Sequence, residues 1–174
     1  MATTLKQVEA IPTAHPDTPS GVTTEIAATV WARIESYIAY RWTPREVVWT
    51  VEGPGEWVPP MAPATITKAE VWSDSAWFTV TLSDSPLNGF DLPDDTHYRF
   101  TATVGAGPVP ESVTTAFTRL AQYMHEADVS DGGVSVRKNS IGPLDVEETR
   151  NPQALARALQ YSGAADLLRP YRRA

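Results

Sequence analysis

From Thr23 onward, apolar residues recur three and four positions apart: Ile26, Val30, Ile34, Tyr37 and Ile38 within TEIAATVWARIESYIAYRW. That spacing predicts an amphipathic helix. Pro44 ends it, because the residue before a proline avoids helical backbone. The period then falls to two. Glu46–Glu52 sets Val47, Trp49 and Val51 on one side, and Thr96–Val104 sets Tyr98, Phe100, Ala102 and Val104 against His97, Arg99, Thr101 and Thr103. Both read as strands with one wet face. Ile66–Trp72 and Ala76–Leu82 are rich in β-branched and aromatic residues, and Ser73-Asp74-Ser75 between them predicts a turn. The proline density of GPGEWVPPMAP, residues 53–63, predicts a rigid loop without a strand.

The helical period returns after Pro108-Val109-Pro110-Glu111, with Val113, Phe117, Leu120 and Met124 as the buried stripe of a second helix that fades near Asp128. Proline and an acid suit a first turn. Ser130-Asp131-Gly132-Gly133 predicts a turn into a short strand at Val134–Arg137. Asn151-Pro152 opens a third short helix through Gln160, Gly163 breaks it, and Ala164–Leu168 has room for one more turn before Pro170. Residues 1–21 hold Pro12, Pro16 and Pro19 with no periodicity and read as an extended arm. The expected class is α+β: two core amphipathic helices packed on a small β-sheet, with an extended C-terminal segment and a short terminal helix. The expected divisions are an arm at 1–22, a core domain at 23–129, and a hook, helix and basic tail at 130–174.

Charge adds an asymmetry to this pattern. The net charge is −7, which speaks against a general nucleic-acid binder, since phosphate affinity needs a basic surface. Residues 1–129 hold 7 basic and 16 acidic residues, a balance of −9, whereas 130–174 hold 7 and 5, a balance of +2. Arg169, Arg172 and Arg173 crowd the last six residues. A chain end of opposite sign suits docking onto a polar or acidic partner. There is no cysteine, which excludes disulfides and thiolate metal sites. Nothing at the N-terminus reads as a signal peptide, and no apolar run reaches the length of a membrane span.

Candidate chemistry is thin. His125-Glu126-Ala127-Asp128 lacks the second histidine, four residues on, that a helical zinc site needs, because position 129 is Val. The acid pairs Asp94-Asp95 and Glu147-Glu148 sit in expected loops, where nothing shields a carboxyl enough to make it a general acid. Gly105-Ala106-Gly107-Pro108 lacks the Lys-Ser/Thr of a phosphate loop, and its prolines remove amide donors. No catalytic, cofactor or metal residue is therefore assigned. Trp31, Trp49, Trp72 and Trp77 fall on predicted stripes and are expected in the core. Trp42 and Trp57 fall near loops, as contact surface or peripheral core in equal measure.

Four segments, in order, carry a family likeness: IESYIAYRW, FTATVGAGPVPESVTTAFTRLAQYMHE, VRKNSIGPLDVEE and ALQYSGAADLLRPYRRA. Across residues 23–174 this resembles the head–tail connector, or adaptor, proteins of long-tailed bacteriophages and gene transfer agents. The long N-terminal arm and the 53–63 insertion depart from the pattern. The resemblance implies a structural protein that is not an enzyme and uses no cofactor. It implies a homo-oligomeric ring, dodecameric by the family's pattern, beneath a portal protein, with a tail-side stopper as the next partner. DNA would pass through the channel without sequence-specific binding, and no membrane would be involved. The chain would be found in the host cytoplasm during assembly and then in the neck of the particle. Its partner-binding residues would be Ser140, Ile141, Gly142 and Leu144 in the hook, and Leu167, Leu168, Arg169, Tyr171, Arg172 and Arg173 at the end. Residues 134–174 are accordingly expected to lie largely outside the subunit's own core, with Leu167, Leu168 and Tyr171 as apolar anchors. The competing readings are a stopper or tail terminator, and a small α+β ligand-binding or hydrolytic domain.

Overall fold

The computed structural model describes residues 2–19, 22, 24–129, 136–141, 144–149 and 156–172. In chain order the elements are β1 (Thr3–Glu9), α1 (Thr24–Tyr37), β2 (Arg45–Glu52), β3 (Gly55–Trp57), β4 (Ala64–Ser73) and β5 (Ala76–Thr79). They continue with β6 (Ser83–Asp84), β7 (Phe90–Leu92), β8 (His97–Val104), α2 (Glu111–Val129), β9 (Val136–Ile141), β10 (Leu144–Thr149), α3 (Ala158–Tyr161) and α4 (Ala164–Leu168), closed by a 3-10 turn at Arg169–Tyr171. The protein is α+β. Its residues form two compact units, one of residues 1–16, 39–108 and 173–174, the other of 17–38 and 109–172.

The first unit is built on a five-stranded antiparallel sheet in the order β1-β2-β8-β4-β5, with a three-stranded sheet β3-β7-β6 beside it. Alternation along β2 and β8 buries Val47, Trp49, Val51, Tyr98, Phe100, Ala102 and Val104. Against that face lies an aromatic cluster: Trp57 stacks on Phe100 at 4.2 Å between centroids and meets Trp49 edge-on at 5.6 Å. The region expected to be a strandless loop thus supplies a strand and a core residue. Three residues between Pro54 and Pro59 suffice for β3, which pairs with β7, and Trp57 is buried.

The N-terminal arm is a strand as well. β1 pairs with β2 from Thr3↔Glu52 to Glu9↔Val47, and a bulge between Thr4 and Lys6 leaves Leu5 out of register. The bulge puts Leu5 and Val8 out of step with simple alternation. That is why TTLKQVE shows no period of two, and the three prolines all lie beyond its end. Side chains fix β1 in place: Trp49 donates to the Gln7 side chain at 2.8 Å and Trp57 to Thr4 Oγ1 at 2.9 Å. Glu9 accepts from Arg41 at 2.7 Å and pairs with Arg45 at 3.1 Å.

The second unit is helical. α1 and α2 pack on each other, with Trp31 against Phe117 at 4.8 Å between ring centroids. Val30, Ile34, Val113, Phe117 and Leu120 are buried as their spacing predicts, whereas Ile26 and Met124, nearer the ends of the two stripes, are half-buried. The turn into α2 needs its glycines. Gly105 (φ 96°) and Gly107 (φ 86°) are left-handed, and a Cβ on Gly105 would collide with the Thr43 carbonyl oxygen. No helix among the described residues is long and apolar enough to cross a membrane.

Candidate partner-binding site

Residues 136–141 and 144–149 form two paired strands where an extended hook was expected. β9 and β10 pair antiparallel from Val136↔Thr149 to Ile141↔Leu144, with Ser140 opposite Asp145. The short strand expected at Val134–Arg137 overlaps the start of β9, and β10 was not expected. The signal was available in the sequence Ile141-Gly142-Pro143-Leu144, a glycine–proline pair of the kind that marks turns between two β-capable runs. Ser140, Ile141 and Leu144 are thereby brought together at the closed end of the hairpin, and Gly142 lies outside the described residues. Among the described residues no third strand joins the pair.

The closing segment departs from expectation. Asn151-Pro152 lies outside the described residues, and of the helix expected through Gln160 the described residues show α3, Ala158–Tyr161. Gly163, at φ 72°, separates α3 from α4 in the left-handed region that suits glycine. α4 packs against α2, and Leu168, Ala158 and Ala164 are fully buried. The expectation that this end lies outside its own core is therefore corrected. Leu168 fills the interior of the helical unit. Tyr171 is half-buried, and its hydroxyl lies 2.9 Å from Ser112 Oγ. Arg172 is exposed but lies over the Tyr37 ring at 4.8 Å from the centroid. Leu167 is half-buried, Arg169 is exposed, and Arg173 lies outside the described residues. Among the described residues expected at this end, Arg169 and Arg172 are exposed. Ser112 and Tyr37, which hold the segment down, were not foreseen as its partners. A few side chains of alanine size follow the hook, and that scarcity of bulk suggested exposure; small residues instead allow close helix packing.

A shallow groove of about 490 Å³ runs beside this segment, with Ala32, Ser36 and Tyr37 of α1 on one wall and Ala156 and Leu159 on the other. Among the described residues its lining holds no acid–base pair. Elsewhere, the clearest electrostatic feature is on the outer face of the five-stranded sheet. Glu70 accepts from Arg99 at 2.7 Å and pairs with Lys68 at 2.6 Å. Hydrogen bonding from Arg99, then from Lys68, holds its carboxyl down at about 2. Arg99 also lies 4.5 Å over the Trp77 ring. Burial pushes the Tyr98 hydroxyl up. Among the described residues no cluster of histidines and acids is arranged to hold a metal ion, and His125 and Glu126 stand exposed near the end of α2. Compared with protein-family models and with curated protein sequences, the chain matches none.

Proposed function

We propose that the chain is a structural adaptor of a tailed phage or gene transfer agent particle, joining capsid to tail as a ring beneath the portal. The observation that carries this reading is the β9–β10 hairpin. Two strands paired only with each other are marginal in water, and a third strand or an apolar partner normally stabilises them. A hairpin that ends on Ser140, Ile141 and Leu144 has the form of an element completed by another chain. The resemblance in sequence order supports the same assignment: strand, glycine–proline turn, helix, hook and closing helix follow in the family's sequence. The acidic body suits a channel wall, because a basic wall would bind and retain passing DNA.

Replacing residues 138–147 by a short glycine–serine turn tests this reading. The shortened chain is expected to keep its helical and sheet signals and its thermal midpoint, yet fail to join portal-bearing capsids. Normal attachment of the shortened chain would sink the proposal.

A further inference from the structure

The five-stranded sheet is open at both edges. Among the described residues β1 pairs only with β2, and β5 only with β4. Apolar side chains are exposed at both: Leu5 and Val8 at 51 % and 52 % on β1, Trp72 and Phe78 at 40 % and 50 % on the β4–β5 hairpin. Open edges with exposed apolar groups are sites of strand addition unless something blunts them. The two edges also match. Every neighbouring pair in the sheet is antiparallel, so with five strands β1 and β5 run in the same direction. Lys6 and Val8 share the outer face with Trp77 and Thr79, as the register through Thr50, Arg99 and Glu70 shows. The exposed charges differ in sign. β1 presents Lys6, its Glu9 being engaged by Arg41 and Arg45; the turn before β5 presents Asp74.

We propose that the β1 edge of one copy pairs in parallel with the β5 edge of the next, so that the sheet continues from subunit to subunit. In the register that aligns the two outer faces and brings the charges together, Lys6 lies beside Trp77 and within reach of Asp74. Val8 then lies beside Thr79, a β-branched pair of the kind that stabilises adjacent strands. Because different patches meet, the contact is head-to-tail and repeats, closing into a ring when the rotation allows. The overlap is only a few residues long, limited by the Leu5 bulge and by the shortness of β5, so this contact orients neighbours and relies on others for strength. The inference rests on the adaptor reading for the ring alone.

The chain's lack of cysteine makes the test clean. Val8→Cys and Thr79→Cys are introduced into separate full-length preparations, mixed and mildly oxidised. A disulfide requires Cα atoms about 4.4–6.8 Å apart, a distance met between neighbouring strands. The expected result is a covalent dimer from the mixture and none from either preparation with wild type. Lys6→Glu is expected to weaken self-association about tenfold at unchanged thermal midpoint, with recovery in Lys6→Glu/Asp74→Lys. Oligomers by native mass measurement that yield no cross-link overturn the edge pairing and leave the ring. A chain that is monomeric at every attainable concentration also overturns the edge pairing, and portal attachment by that chain decides the adaptor reading separately.

Discussion

Glu70 shows how much a side chain's setting matters at the scale of one residue. It is buried to 3 % exposure between Lys68 and Arg99, and its carboxyl titrates near 2 rather than at its ordinary 4.5. A depressed carboxylate contributes stability that is fully present above the unfolded value and lost as pH falls through the folded one. Glu70→Gln should therefore destabilise the fold at neutral pH by about 1 kcal/mol, since both cationic partners are partly exposed and screened. The gap between mutant and wild type should close between pH 4.5 and about 2, as followed by urea unfolding at a series of pH values. A gap that persists at pH 2 would mean packing, not charge, is responsible. The aromatic residues divide in a similar way. Phe117→Ala should cost about 3–5 kcal/mol, because Phe117 is fully buried against Trp31. Trp72→Ala should cost under about 1 kcal/mol, because Trp72 is 40 % exposed. Thermal midpoints of the two variants would check the contrast. The sequence pattern places Trp72 in the core and Trp57 between core and surface, and the structure exposes the first and buries the second. Alternation gives the face of a strand, but whether anything covers that face depends on distant elements that no local pattern reveals.

Among the elements, the C-terminal segment changes most in meaning. With Leu168 buried, Tyr171 against Ser112 and Arg172 over Tyr37, removing residues 167–174 takes a core side chain from the helical unit. Truncation should lower stability by about 2–5 kcal/mol, measured by chemical denaturation, while Arg169→Ala should leave it unchanged. Equal stability of truncated and intact chains would place the segment outside the core after all. α1, α2 and the strands β2 and β8 were legible because each carries many turns or pairs of one unbroken period. β1 was not, since one bulged residue is enough to scramble a seven-residue strand. β3, β6 and β7 are too short to show any period; their pairing comes from the tertiary fold. Ser140, Ile141 and Leu144 were singled out through motif order, and their meeting at one end of a strand pair required the second strand.

For the whole molecule, the division into units cuts across the sequence. The chain passes between them after residues 16, 38, 108 and 172, so neither is a continuous segment. A fragment of residues 1–108 holds all the strands of the larger sheet together with an α1 deprived of α2. It should retain β-sheet circular dichroism and bind an apolar dye through the uncovered Val30, Trp31 and Ile34 side chains, which the intact chain should not do. A fragment that binds no dye would show α1 needs no helical partner. The same interleaving has a consequence for synthesis. As the chain leaves the ribosome, β1 emerges about 40 residues before β2, its neighbour in the sheet. α1 then waits for α2, and the helical unit stays incomplete until Leu168 is released. The strands of the larger sheet have all emerged by Val104, whereas completion of the helical unit is deferred to the end of translation, and the apolar stripe of α1 is left to chaperones for most of that time.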